Sequence, residues 1–293
     1  MVFQPFDPNR PGEKRRRFKP VPVRTLLPNL ITLLALCAGL TGIRMAFEGK
    51  LELALGAIVF AALLDGIDGR VARMLKGTSK FGAELDSLAD FVNFGVAPAL
   101  ILYFWGLHDF KSFGWIAALV FAICSALRLA RFNVMIDDPT KPAWAGNFFT
   151  GIPAPAGAIT VLLPIYLNFL GAPLGRVLEL FSLVYTLFIA LMMVSKLPVF
   201  SGKRVGKRVA PELVLPVFVF VVLFFAVLIS YPWETLSIGT VAYLCALPLG
   251  WWSYQGYLRR DAEGEAVPQA DAESAPLPGE TTPPQDDRPV RLN

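Results

Sequence analysis

Asp65-Gly66-Ile67-Asp68-Gly69-Arg70-Val71-Ala72-Arg73 is followed, eight residues on, by Gly82-Ala83-Glu84-Leu85-Asp86-Ser87-Leu88-Ala89-Asp90. Four aspartates stand at spacings of three, eighteen and four between strongly apolar flanks. On a helix, residues three or four apart share a face. Asp65 and Asp68 therefore project together from the end of one helix, and Asp86 and Asp90 from the start of the next. Between the pairs, Lys76-Gly77-Thr78-Ser79-Lys80 is polar and carries a breaker, so it reads as a turn. Such a turn folds the two acidic pairs onto one another.

Four converging carboxylates repel unless a cation neutralises them. Hard oxygen ligands suit Mg²⁺ or Mn²⁺, and Mg²⁺ commonly shares its shell between carboxylates and substrate phosphates. Gly69 and Ala72 fall on the same helical side and leave room for a bulky ligand against the backbone. Arg73 offers a planar fork for phosphate. The set reads as a metal-assisted phosphoryl-transfer site. A merely solvated acidic face fits poorly, because both flanks are apolar.

The chain has 293 residues, of which 55% are hydrophobic and 17% charged. Its mean hydropathy is +0.53. That is too apolar for an ordinary soluble domain, and it points to one all-α integral membrane domain. Eight apolar runs, near 26–47, 51–75, 84–107, 113–135, 152–172, 178–199, 211–231 and 234–257, approach the length that spans a bilayer. The expected domain plan is a basic segment over 1–25, a transmembrane catalytic bundle over 26–258, and a tail over 259–293. From 261 onward there are six prolines, eight acidic residues and no aromatic residue, a composition that predicts disorder.

Lys and Arg set the orientation. With the N-terminus inside, the inner segments carry seven, four, three, five and four of them, and the outer loops carry four of the 27. This bias puts both termini, and the acidic motif, on the cytoplasmic side of the cell membrane. The basic N-terminal cluster adjoins an apolar span, so it suits anionic lipid headgroups and not nucleic acid. The first residues are polar and proline-bearing, so no cleavable signal peptide is expected. Cys37, Cys124 and Cys245 lie within apolar runs without any C-x-x-C pair, and read as buried, inert thiols. His108 is the single histidine and reads as a surface residue. Trp105, Trp115, Trp233, Trp251 and Trp252 near run ends fit an interfacial belt, and Gly39, Gly42, Ala54 and Gly56 suit close helix packing.

Three further strings gather on the expected cytoplasmic side. They are Arg128-Leu129-Ala130-Arg131-Phe132-Asn133, Phe149-Thr150-Gly151-Ile152-Pro153-Ala154-Pro155-Ala156, and Ser195-Lys196-Leu197-Pro198. On charge alone, each is equally well read as positive-inside anchoring or a plain helix start.

The pattern D-x-x-D-G-x-x-A-R, eight residues, then G-x-x-x-D-x-x-x-D resembles the signature of the CDP-alcohol phosphatidyltransferases, with every defined position filled. Asp86-Ser87-Leu88-Ala89-Asp90-Phe91, Phe94-Gly95-Val96-Ala97-Pro98-Ala99 and the three strings above resemble the phosphatidylserine synthase branch. The likeness covers roughly residues 22 to 210. It implies a membrane homodimer that transfers a phosphatidyl group from CDP-diacylglycerol to L-serine and releases CMP. It implies metal ligation by Asp65, Asp68, Asp86 and Asp90, with Asp90 also the general base. Gly69, Ala72, Arg73, Ser79, Gly82, Asn29 and Thr32 are the expected contacts to CDP-diacylglycerol. Arg128, Arg131 and Asn133 are the expected serine pocket. Choline, inositol or glycerol 3-phosphate remain alternative acceptors, since the core motif is shared. A cation transporter is the alternative of another class, because intramembrane acids also mark ion paths. The motif occurs once, however, whereas transporters are commonly built from paired repeats.

Overall fold

The computed structural model describes residues 23–75, 79–136, 148–200 and 211–262. The basic N-terminal cluster, the middle of the acidic turn, the loop containing Lys141, the run Lys203–Arg208 and most of the acidic tail lie outside the described residues.

The chain folds as an all-α protein with a single short β-ladder among the described residues. Helix α1 (Val23–Phe47) and α2 (Leu51–Met74) form a hairpin over a three-residue connection. There Gly49 takes φ +77°, and Glu48 pairs with Arg44 and Lys50 at 2.7 and 2.8 Å. A Cβ at Gly42 would stand 3.2 Å from the Ala54 carbonyl oxygen and 3.3 Å from the Ala57 Cβ, so these helices touch through small residues. A Cβ at Gly39 would strike the Asn93 side chain. Gly56 instead faces open space, so it plays no part in that contact.

Helix α3 (Lys80–Phe91) runs through a π-helical turn, Val92–Val96, into α4 (Ala97–Trp105). The single run expected here is thus interrupted. Pro98 has no N–H for the usual i−4 bond, and the Ala97 N–H reaches back five residues to the Val92 carbonyl. A short 3₁₀ turn, Leu107–Phe110, leads to α5 (Ser112–Ile136). His108 lies in that turn, exposed, beside Asp109 at 3.3 Å, as expected of a surface residue.

The fifth apolar run is also broken. It forms α6 (Ala154–Val161) and α7 (Leu163–Phe169), with Leu162 between them at ψ 0° and Pro164 in the first turn of α7. Then come α8 (Arg176–Val194), α9 (Pro211–Ser230) and α10 (Pro232–Ala262). Strand β1 (Phe148–Thr150), before α6, pairs antiparallel with β2 (Pro198–Phe200), after α8.

One hydrophobic cluster joins α2, α4, α5, α6, α7 and α8, with Phe94, Phe121, Ile58, Ile101, Ile165 and Ile189 fully enclosed. Among the described residues, five stretches are long and apolar enough to cross a membrane: Leu26–Phe47, Lys80–Trp105, Ser112–Met135, Arg176–Val194 and Pro232–Gly256. Two more apolar helices, Ala154–Phe169 and Val214–Ser230, are shorter. Large apolar side chains line the outside; on α9, Val214, Leu215, Phe218, Phe220 and Leu223 are all more than half exposed. A contiguous apolar surface of that kind suits lipid and not water. The protein is a multi-pass membrane protein.

Two expectations about single residues are corrected. Cys37 and Cys245 are exposed, and Cys124 is half-buried. In a lipid-facing helix an apolar neighbourhood in sequence does not mean burial inside the protein. Trp105 is not in an interfacial belt: it is 6% exposed, and its indole N–H donates to the Asn168 side-chain oxygen at 3.4 Å. Trp233 is likewise packed inward, with ring centroids 4.7 Å from Phe169 and 6.3 Å from Tyr166.

Candidate active site

The site is assembled where the start of α1, the second half of α2 and the start of α3 meet. Helix α3 is fixed at its origin by Ser79, whose Oγ accepts the Gly82 N–H at 3.0 Å. This N-cap satisfies one of the donors a helix start leaves free. A Cβ at position 82 would stand 2.8 Å from Asn29 Oδ1 and 3.1 Å from Ser79 Oγ. Gly82 therefore lets α3 close against α1. Thr32, one turn beyond Pro28 in α1, donates its hydroxyl to Asp68 Oδ2 at 2.7 Å. Both groups are buried, at 6% and 3% exposure, so the carboxylate of α2 is oriented by α1.

One oxygen each from Asp65, Asp68 and Asp86 lies within 4.8 Å of the others. Asp90, one turn further along α3, shares a hydrogen bond with Asp65. Both acidic pairs thus come together, as the spacing predicts. Among the described residues none of the four forms an ion pair with Lys or Arg. An all-oxygen cluster, partly buried and without a salt-bridged Lys or Arg among the described residues, fits a hard divalent cation.

Beside this cluster opens a cleft of about 190 Å³. It is lined by Asn29, Thr32, Gly69, Ala72, Arg73, Ser79 and Gly82, together with Pro28, Ala83, Asp68 and Asp86. All seven residues expected to contact the nucleotide lipid therefore share one surface with two of the acids. Gly69 matters here for the space it leaves. A Cβ there would meet only the Arg73 side chain, at 3.8 Å, so the protein does not fill that room itself.

The three residues expected to hold serine are not equivalent. Arg128, 7% exposed, stands over the Phe132 ring at 5.3 Å, with its charge within electrostatic reach of Asp90. Arg131 donates from Nη1 to the Val194 carbonyl at 2.8 Å, closing the end of α8. Asn133 donates to Ser87 Oγ at 2.9 Å near the surface. Of the three, Arg128 is the one whose charge reaches an acid, Asp90.

Some features gave little sign in the sequence. The strings around Thr150 and Pro198 stood out in the sequence as separate segments, but their pairing as β1 and β2 did not. Gly151 secures that junction: at φ +77° it places its N–H on the Leu197 carbonyl at 2.8 Å, and a Cβ would strike the Met193 carbonyl. Asn93 and Ser125 are 1% and 0% exposed, and among the described residues Asn93 Oδ1 and Ser125 Oγ lack a hydrogen-bond partner. The one available signal for Asn93 was its position three residues after Asp90 in an apolar run.

Residues 25–194 match the family model described as CDP-alcohol phosphatidyltransferase. This chain belongs to the CDP-alcohol phosphatidyltransferase family. It is accordingly a phosphotransferase, and that family stretch contains the acids, the cleft and Arg128. Residues 212–248 match a second model, CDP-alcohol phosphatidyltransferase 2. Three similar curated proteins all bear the name CDP-diacylglycerol–serine O-phosphatidyltransferase. That of Mycobacterium leprae is 42% identical over 226 residues, covering 76% of this chain and 73% of the relative. That of Helicobacter pylori strain 26695 is 36% identical over 221 residues, covering 75% and 88%. That of Mycobacterium tuberculosis H37Rv is 53% identical over 137 residues, covering 47% and 48%.

Proposed function

We propose that this phosphotransferase moves a phosphatidyl group from CDP-diacylglycerol to L-serine at the cytoplasmic face of the cell membrane, releasing CMP. The observation that carries the reading is the meeting of three aspartate oxygens within 4.8 Å beside a cleft lined by the nucleotide-contact set. The names of the three relatives support serine as the acceptor. Asp65, Asp68, Asp86 and Asp90 are the residues that would hold Mg²⁺ or Mn²⁺. When bound, such a cation neutralises charge on the pyrophosphate and on the departing nucleotide.

The chain's own residues do the remainder. Thr32 fixes the Asp68 carboxylate. Gly69 and Ala72 leave the α2 backbone uncovered where the nucleotide lies, and Asn29, Ser79 and Gly82 form the opposing wall. Arg73 offers its fork to phosphate. Asp90 takes the proton from the serine hydroxyl as its oxygen bonds to the phosphatidyl phosphorus. The bond from that phosphorus to the CMP oxygen breaks, and CMP carries away the electron pair. Arg128 holds the serine carboxylate, while Arg131 and Asn133 brace the α5 end that presents it. The eight apolar runs of the sequence would form the transmembrane bundle with both termini cytoplasmic, a reading supported by the bias of Lys and Arg. The resemblance supports a homodimer.

The test is CMP release by the purified protein with CDP-diacylglycerol and, separately, serine, choline, inositol or glycerol 3-phosphate. Serine is expected to be used well over tenfold faster than the others at equal concentration. Equal or better use of another alcohol refutes the serine assignment, and no CMP with any of them refutes the reaction.

A further inference from the structure

The geometry points to Tyr243, on α10, as a residue that reads the carboxylate of the acceptor together with Arg128. The inference rests on the reading that Arg128 takes that carboxylate. Tyr243 lies more than 150 residues beyond Asp90, outside the stretch that holds the acids. Its ring packs against the buried core, which fixes where the hydroxyl stands. That hydroxyl is buried and has no hydrogen-bond partner among the described residues. Tyr243 and Arg128 lie within electrostatic reach of each other, and so do Arg128 and Asp90. Asp90 of α3, Arg128 of α5 and Tyr243 of α10 are thus electrostatic neighbours in succession.

Two polar groups in an apolar interior ordinarily find partners, because an unmade hydrogen bond there is costly. Among the described residues nothing accepts a hydrogen bond from Arg128, whose contacts are the Phe132 ring and the charges around it. A guanidinium has five N–H donors and no acceptor, and a phenol carries one O–H donor. A carboxylate, with two oxygens and several lone pairs, satisfies both at once. A hydroxylated α-amino acid presents that anion on the same small molecule as its attacking oxygen. Choline and inositol present no anion. Ser237 and Thr240, six and three residues before Tyr243, are 7% and 3% exposed, and their hydroxyls also lack partners. The polar side of α10 therefore extends beyond one residue.

The experiment compares the full-length protein with Tyr243→Phe in liposomes containing CDP-diacylglycerol, measuring initial CMP release against serine and against serinamide. Serinamide keeps the hydroxyl and the amine but lacks the carboxylate. Loss of one hydrogen bond to the anion is expected to raise the serine KM about tenfold, with kcat held within threefold and the demand for CDP-diacylglycerol unchanged. With serinamide, wild type and variant are expected to behave alike. Tyr243→Phe removes one oxygen that the fold leaves unpaired, so the bundle is expected to remain intact. An unchanged serine KM, or an equal loss with serine and serinamide, overturns the inference. Wild type that turns over serine while the variant matches it refutes the role of Tyr243 alone. Wild type that releases no CMP with serine refutes the proposed function, and this inference with it.

Discussion

Thr32→Val removes a single hydroxyl and keeps the side-chain volume. The structure puts that hydroxyl 2.7 Å from Asp68 Oδ2, with both residues almost fully buried. A buried hydrogen bond to a carboxylate contributes about 1.5–3 kcal/mol. In equilibrium terms that is roughly 10- to 150-fold. The bond also decides which way Asp68 points, and partners that orient metal ligands commonly change affinity by about 10–100-fold when lost. Thr32→Val is therefore expected to raise the half-saturating Mg²⁺ or Mn²⁺ concentration by about tenfold or more. Thr32→Ser, which keeps the donor, is expected to recover most of it. The assay is CMP release titrated with metal, alongside Mn²⁺ binding by electron paramagnetic resonance without lipid substrate. The binding arm separates a metal effect from a nucleotide effect, since Thr32 also lines the cleft. If Thr32→Val binds Mn²⁺ within twofold of wild type, Thr32 does not act through Asp68 and the reasoning fails.

Asp90→Asn is expected to lower CMP release by about 10²–10⁴-fold, the usual worth of a positioned base, with the protein still folded in membranes; near-normal turnover removes Asp90 from that role. EDTA is expected to stop the reaction and added Mg²⁺ or Mn²⁺ to restore it, and turnover that persists in EDTA contradicts a cation at the four acids. Arg131→Ala deletes the 2.8 Å bond to the Val194 carbonyl and is expected to cost about 1–3 kcal/mol of stability, read as a lower midpoint of thermal unfolding in detergent. Gly39→Val forces a side chain into Asn93 and is expected to destabilise the bundle by about 1–3 kcal/mol or more, read in the same way.

Spacing made the centre of this protein legible before any coordinate. Aspartates three and four apart on two helices joined by a short polar turn can hardly avoid meeting, and Asp65, Asp68 and Asp86 do. Of the residues expected to contact the nucleotide, Gly69, Ala72, Arg73, Ser79 and Gly82 stand in the same stretch as the acids, while Asn29 and Thr32 came only from the family resemblance; all seven line one cleft. The breaks within apolar runs were harder. Pro98 and Pro164 were visible, but each interrupts a helix by a local change of hydrogen-bond register that hydropathy averages away.

From the residues alone it followed that the chain is helical and membrane-bound, and which four carboxylates come together. The packing of the helices settled which groups stand around them: Thr32 on Asp68, Arg131 on α8, β1 against β2, and Tyr243 within electrostatic reach of Arg128. The physical reason is the solvent. In water, a helix advertises its inner face by being apolar there and polar elsewhere. In lipid both faces are apolar, so the pattern that would say what packs inward is missing. Cys37 and Cys245 on the outside, and Trp105 on the inside, are where that loss shows.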